Sequence, residues 1–321
     1  MKDLQVNEES TLKSQWIKFK AENPKIRIRD AAKTLNSTEA ELLATSCNDT
    51  VTRLDVNITD FLAEQIPLLG KVKALTRNDE VVHERNGEYL NPSFGKNAHV
   101  GLFVGEDIDL RIFLNHWKFT FAVSEIARGK ERYSIQFFSQ NGTAIHKIYL
   151  IKESNSDAFL KIKEAYKHEI QGIEKDEINT EKVNPEKRNE NPDVEKFQHD
   201  WLNLKDTHAF FPLMKKHGVT RLQALEIAPE KDGIQYAKKV SNDVVKKSLE
   251  KASETNTPIM VFVGNKGMLQ IHTGPVKKLL EMKEWYNVMD PDFNLHIKTT
   301  NIKECWLVKK PTSDGEVNSI E

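Results

Sequence analysis

The 321-residue sequence predicts an α+β fold made twice: two tandem homologous repeats, each with N-terminal helices followed by a large antiparallel β-sheet, the second repeat truncated at its C-terminus. Three observations predict it. Helical patterns precede strand patterns in each half, which is the segregated order of α+β proteins. The strand segments alternate apolar and polar residues and are joined by short turn signals, as antiparallel hairpins are. Corresponding segments recur at an almost constant spacing, which is the mark of a duplicated unit.

Taken in order, the first half opens with an aromatic-bearing helix around 16–21, then Arg29-Asp30-Ala31-Ala32. Thr38-Glu39-Ala40-Glu41 follows, a Thr N-cap with Glu three residues on, which reads as a capping box. Thr76-Arg77-Asn78-Asp79-Glu80-Val81-Val82-His83 reads as two strands with a turn at Asn-Asp. Lys118-Phe119-Thr120-Phe121-Ala122-Val123 and Ile145-His146-Lys147-Ile148-Tyr149-Leu150 alternate as strands with one wet face do. Asn141-Gly142 marks a hairpin turn between the strands at 135–138 and 143–150. A closing helix is expected at 157–169.

From 171 to 196 there is no aromatic residue, and Pro185 and Pro192 stand among Glu, Lys and Asn. Such a segment cannot bury enough surface to offset its ordering entropy, so it reads as a charged linker. It separates a first repeat, 1–170, from a second, 197–321. The second half repeats the order: Trp201, then 206–216, then Thr220-Arg221-Leu222-Gln223, another capping-box pattern 182 positions after the first. Val263-Gly264-Asn265-Lys266-Gly267-Met268-Leu269-Gln270 matches the first hairpin at an offset of 187. Phe293-Asn294-Leu295-His296-Ile297 matches Ile108-Asp109-Leu110-Arg111-Ile112 at 185, as Trp306 matches Phe121 and Ser319-Ile320-Glu321 matches Ser134-Ile135-Gln136. The first half goes on from there into a further hairpin strand. The counterpart is absent from the second, so its sheet is expected to expose an unpaired edge.

Hydrophobic residues make up 38% of the chain and charged residues 30%, the balance of a core-forming chain. The 47 Lys and Arg nearly cancel the 48 Asp and Glu, which argues against a nucleic-acid or polybasic membrane binder. No apolar run approaches the roughly 18 residues of a membrane span. Residues 1–10 are acidic and polar, without the apolar core of a signal peptide. Cys47 and Cys305 lie far apart without metal-type spacing. Together these features lead to the expectation of a reduced, cytoplasmic location and no nucleic-acid partner.

Few residues advertise chemistry. Gly264-Asn265-Lys266-Gly267 is not followed by Gly-Lys-Ser/Thr and reads as a hairpin turn rather than a phosphate loop. No His-Glu-x-x-His, Cys-x-x-Cys or Gly-x-Ser-x-Gly occurs, and the ten histidines are scattered. One segment stands out: Lys205-Asp206-Thr207-His208-Ala209-Phe210-Phe211-Pro212-Leu213, a lone His leading into aromatics at a helix start. A neutral imidazole there could ligate a metal held in an apolar planar cofactor. From the chemistry of the segment alone, the favoured reading is a packing histidine on a helix–sheet seam.

An ordered set of motifs carries a resemblance. Arg29-Asp30-Ala31-Ala32, Ala74-Leu75-Thr76-Arg77-Asn78, Val82-His83-Glu84, Ile108-Asp109-Leu110-Arg111-Ile112-Phe113, His116-Trp117 and Ser134-Ile135-Gln136-Phe137-Phe138 occur in the first half. The second adds Asp206-Thr207-His208, Phe262-Val263-Gly264-Asn265, Gln270-Ile271-His272-Thr273-Gly274-Pro275, Asn287-Val288-Met289-Asp290-Pro291, Phe293-Asn294-Leu295-His296 and Lys310-Pro311-Thr312. Together they resemble the tandem-duplicated haem-transport and haem-degrading proteins of the HemS/HmuS type.

The resemblance implies haem (iron protoporphyrin IX) in a cleft between two sheets, against the second half. It implies His208 as the proximal iron ligand, Arg111 on the distal side, and Arg221 and Lys310 as propionate anchors. These types suit the ligand, a broad apolar plate with two carboxylates, because Arg offers a planar fork and Lys a point charge. The same four residues read without the resemblance are a packing His, two ion-pairing Arg and a loop Lys. Family members usually continue into a strand whose residues also touch haem, and those residues are not in this sequence. His296, at the repeat position of Arg111, and His83 are secondary candidates or packing residues.

Two activities follow from the resemblance: a carrier that accepts imported haem for transfer, storage or iron utilisation, and a haem-degrading enzyme that opens the porphyrin. The partners it implies are an inner-membrane haem importer and a reductase. An inactive remnant is the third reading.

Overall fold

The computed structural model describes residues 11–95, 99–127, 129–174, 176–179 and 186–321. The acidic start at 1–10 and the centre of the expected linker, 180–185, lie outside the described residues. The chain forms two compact units: Met1–Glu181 with Pro258–Leu280 and Asn287–Ile297, and Lys182–Thr257 with Glu281–Tyr286 and Lys298–Glu321. These units and the two sequence halves are different partitions, because strands of the second half complete the sheets of the first unit. Among the described residues no helix is long and apolar enough to cross a membrane.

The first unit begins with three short helices, Leu12–Glu22, Ile28–Thr34 and Glu39–Ala44. Thr38 caps the third as expected: its hydroxyl accepts from Glu41 N–H while the Glu41 carboxylate accepts from Thr38 N–H, at 3.2 and 2.9 Å. The expected turn at Asn141-Gly142 sits against this cap, with Ala40 N–H donating to the Gly142 carbonyl. Gly142 has φ +74°, and a Cβ there would meet the Thr38 hydroxyl at 2.3 Å, so the close approach requires glycine.

A nine-stranded sheet runs from edge to edge through Val51–Leu54, Trp117–Ala127, Lys130–Ser139, Ala144–Leu150, Val72–Arg77, Val81–Gly87, Phe293–Lys298, Trp285–Met289 and Leu279–Met282. A five-stranded sheet runs Ile259–Gly264, Met268–Gly274, Asp109–Phe113, Val100–Val104, Pro92–Phe94. Both join strands from the two halves: Leu269 pairs with Arg111, and Leu295 with His83, in antiparallel register. Their inner faces meet in one core, where Leu110, Ile112 and Met268 pack with Val72, Ile135, Phe137 and Ile148. The closing helix, Ser156–Ala165, adds Phe159 and Ile162 to it. The segment Gly264-Asn265-Lys266-Gly267 is the expected hairpin turn, held by Asn265, which accepts from Gly267 N–H and donates to the carbonyls of Arg77 and Ile145.

The start of the expected linker is not loose. Gln171 brackets the Arg53 backbone, accepting from its N–H and donating to its carbonyl. Glu177 takes both arms of the Arg53 guanidinium, at 2.8 and 2.5 Å. Ile178, 9% exposed, enters the core beside Phe119 and Phe121. Low aromatic content hid these three anchors, one glutamine, one ion pair and one isoleucine.

In the second unit the helices Val194–Leu202, Phe210–His217 and Arg221–Glu226 pack around Phe197, Trp201 and Phe210. They lie on a three-stranded sheet ordered Ala237–Val240, Cys305–Thr312, Gly315–Ile320, through Val308. A longer helix, Asp243–Thr255, has no counterpart among the sequence expectations. Thr220 caps its helix only one way, accepting from Gln223 N–H, because the Gln223 amide is engaged with the backbone of Asn189. The last strand, Gly315–Ile320, pairs on one side only, so among the described residues the expected open edge is present.

Candidate functional site

The segment singled out by sequence begins with an N-cap. The Asp206 carboxylate accepts from the backbone N–H of His208 at 2.9 Å and starts a single 3₁₀ turn, Thr207–Ala209, that leads into the helix Phe210–His217. The same oxygen accepts from Nδ1 of the His208 ring at 2.7 Å. The backbone N–H first, and then the ring, hold the Asp206 carboxyl below its ordinary value. A carboxylate only accepts, so Nδ1 is the donor, and Nε2 is the ring nitrogen left without Asp206, on a side chain that is 81% exposed. A carboxylate that fixes tautomer and ring orientation is what a metal-ligating imidazole needs behind it. Phe210, next but one, turns into the core, while Phe211 stands 69% exposed beside the ring's own turn. Among the described residues no three His, Cys, Asp or Glu gather as a metal cage.

Arg221 and Lys310 come together in the same unit. Arg221 opens its helix directly after the Thr220 cap, and Lys310 sits on the inner face of the strand Cys305–Thr312, two residues from buried Val308. The guanidinium carbon lies 4.9 Å and the ammonium 5.0 Å from the centroid of the Phe210 ring. Between them lies the Glu321 carboxylate: Oε2 accepts from Arg221 Nε and Nη2 at 2.8 and 2.5 Å, and Oε1 accepts from Lys310 Nζ at 2.6 Å. The Ser319 hydroxyl adds a fourth donor at 3.1 Å. Burial pulls the Lys310 ammonium below its ordinary value, against the opposing pull of Glu321. Burial pushes the Glu321 carboxyl up, and the two cations outweigh it and bring it below its ordinary value. The arrangement is a carboxylate receptor laid on an aromatic ring.

Arg111 belongs to the first unit, so the four sequence candidates divide three and one between the units. On the strand Asp109–Phe113, Leu110 and Ile112 point into the core and Arg111 lies on the opposite face with Asp109. Its guanidinium is paired with the Asp109 carboxylate and also donates to the Leu110 carbonyl at 3.2 Å. Strand register puts Leu102 and Leu269 on either side of it. The same face carries Val100, Val104, Met260 and Phe262, which are 42%, 51%, 54% and 55% exposed. A lone, carboxylate-held cation thus sits in an exposed apolar sheet face, the kind of patch that soluble proteins keep for a ligand.

The secondary histidines are packed. His83 is fully buried with its ring edge-on to Phe293 at 5.0 Å, and His272 stacks on the same ring at 3.7 Å. Half-buried His296 has Nδ1 at 2.7 Å from the Asn287 side-chain oxygen. Sequence reasoning missed the three carboxylates that hold the four candidates. Asp109 was open to inference, being two residues from Arg111 on a strand and so on its face, and Asp206 stands where an N-cap belongs. Nothing in the sequence marks Glu321 as the partner of both Arg221 and Lys310.

Comparison with known proteins gives a consistent result. The model of the haemin-degrading HemS.ChuX domain matches residues 36–166 and again 218–321. The hemin transport protein HemS of Yersinia enterocolitica is 36% identical over 309 residues, 96% of this chain and 86% of that protein. The structure of holo-PhuS, a heme-binding protein from Pseudomonas aeruginosa, superposes with a TM-score of 0.88 at 40% identity, covering 96% of this chain and 87% of that one. The heme degrading enzyme ChuS of Escherichia coli O157:H7 gives 0.87 at 34% identity, over 96% and 88%.

Proposed function

The chain belongs to the haemin-degrading HemS/ChuX family, in the tandem form of HemS, and from that premise we propose that it is a cytoplasmic haem-binding protein that accepts imported haem for transfer, storage or iron utilisation. One observation carries the reading: His208, exposed, with Nδ1 tied to Asp206 and Nε2 free, in the same unit as two cations already arranged to receive a carboxylate.

The residues present fit the ligand. Haem brings an iron with open axial positions, an apolar ring and two propionates. His208 supplies an imidazole nitrogen for the iron, and Asp206, bonded to Nδ1, fixes the ring's orientation and leaves Nε2 as the ligating atom. Arg221 and Lys310 take propionate oxygens through charge-assisted hydrogen bonds. The apolar face around Arg111 offers Phe262 and Met260 to a flat hydrocarbon surface. The family resemblance supports Arg111, held by Asp109, as a further haem contact, a guanidinium that would donate hydrogen bonds to polar groups. An inner-membrane haem importer as donor belongs to the same proposal.

Titration with haem, followed by the Soret band, tests it. The expected result is a saturable shift at one haem per chain that His208→Ala weakens at least tenfold. An intact, folded chain giving no saturable Soret shift would overturn the reading. Haem degradation is the second reading, supported by the description of the matching family model and by the likeness to ChuS. The haem-loaded protein, incubated with a reductase or ascorbate under air, separates the two: a carrier keeps its Soret band and passes haem to apomyoglobin, whereas an enzyme loses the band and releases iron.

A further inference from the structure

The cation pair of the second unit is not empty of carboxylate, and that has a bearing on which ligands it accepts. Glu321 takes four donors from three elements, and among the described residues no other acceptor bonds Arg221 Nε or Lys310 Nζ in its place. Two cations held within 5 Å of the Phe210 centroid by one shared carboxylate repel each other, and with Lys310 only 10% exposed water screens that repulsion poorly. A carboxylate is therefore built into the pair. Arg221 is the more open of the two, 46% exposed, and its Nη1 edge is left for an incoming oxygen.

We propose that Glu321 is an internal stand-in for a porphyrin propionate: it occupies the Arg221–Lys310 anchor in the free protein, and a ligand carboxylate must displace it to dock. This rests on the haem-binding reading and adds the selectivity of the site. A plate with its own carboxylate replaces Glu321 like for like and leaves the cations satisfied. A plate of the same shape without carboxylates leaves Glu321 in place and gains nothing from the anchor. The device rejects uncharged apolar discs while costing a dicarboxylate porphyrin only the difference between two similar ion pairs.

The test uses the full chain with haem and with haem dimethyl ester as probes, titrated by Soret absorbance for the unaltered protein and for Glu321→Gln, each checked by thermal melting. Removing the competitor is expected to tighten haem about fivefold, the size of one partly exposed ion pair, and to leave the ester's affinity within twofold. A second measurement needs no variant. In the unaltered protein labelled with ¹³C at Glu carboxyls, zinc protoporphyrin IX is expected to move the Glu321 carboxyl resonance, and its dimethyl ester is not. Should the unaltered chain bind no haem, the functional reading falls and this inference with it. Should it bind haem while Glu321→Gln binds equally or more weakly, or should ester and acid move the Glu321 resonance alike, this inference alone falls.

Discussion

Replacing His83 by leucine should make the first unit more acid-resistant, by an amount that can be worked out. His83 lies on the strand Val81–Gly87, fully buried, and among the described residues neither ring nitrogen makes a well-formed hydrogen bond. Burial first, then the neighbouring His272 and Arg85, pulls its pKa from 6.5 down to about 3. The folded state therefore refuses a proton that the unfolded chain takes up below 6.5. Stability from this residue is whole above pH 6.5 and is lost as the pH falls from 6.5 toward 3. One pH unit is worth about 1.36 kcal/mol per proton, so at pH 5 the penalty is about 2 kcal/mol, and at pH 8 it is close to zero. Leucine has no proton to gain. The assay is native-state hydrogen exchange of peptides covering the strands Val72–Arg77 and Val81–Gly87, for both proteins at the two pH values. The opening free energy of His83→Leu relative to the parent should be about 2 kcal/mol more favourable at pH 5 than at pH 8. An equal difference at both would refute the argument, because a packing effect alone does not depend on pH.

Three further outcomes are expected. Asp206→Asn should weaken haem binding by about tenfold with an unchanged melting temperature, since it frees the tautomer of His208 without removing the ligand; Soret titration reads it. Glu177→Gln should loosen 171–179 by about 2 kcal/mol in hydrogen exchange. Arg53 holds the Glu177 carboxyl at about 2, so in the parent the same protection is present above the ordinary value of 4.5 and fades as the pH falls toward 2. Phe262→Glu, on the exposed face around Arg111, should cut haem affinity roughly tenfold, as the loss of one buried aromatic contact does, and leave the melting temperature within a degree or two; an unchanged affinity would remove that face from the ligand's surroundings.

What could be read from the sequence was local. The Thr38–Glu41 box and the Asn141-Gly142 turn each depend on residues a few positions apart, and each is where it was expected. The strands at 118–123 and 145–150 also form, but without the expected wet face: 119–123 and 145–148 are buried throughout, because both strands lie inside the sheet with their two faces covered. The closing helix starts as expected and ends at Ala165, short of 169. His208, Arg111, Arg221 and Lys310 were found through ordered motifs, and periodicity had nothing to say about them. Partners distant in sequence stayed hidden. No pattern announces that Leu269 lies beside Arg111, that Leu295 lies beside His83, or that Glu177 reaches back to Arg53. Glu321 shows the limit best: as the repeat partner of Gln136 it looked like a sheet residue, and only the fold reveals which two cations it joins.

The sharing of sheets between the two halves sets a timetable for the protein's birth. Val81–Gly87 lacks one neighbour until Phe293–Lys298 exists, and Asp109–Phe113 lacks one until Met268–Gly274 exists. When the ribosome has made Glu177 it still has 120 residues to add before Ile297, an interval of roughly 6–24 s at about 5–20 residues per second. Through that interval two long strand edges wait open on the nascent chain, each a template for any stray strand that passes. A chaperone that shields them, or slow growth at low temperature, should decide how much of the newly made protein is recovered in soluble form.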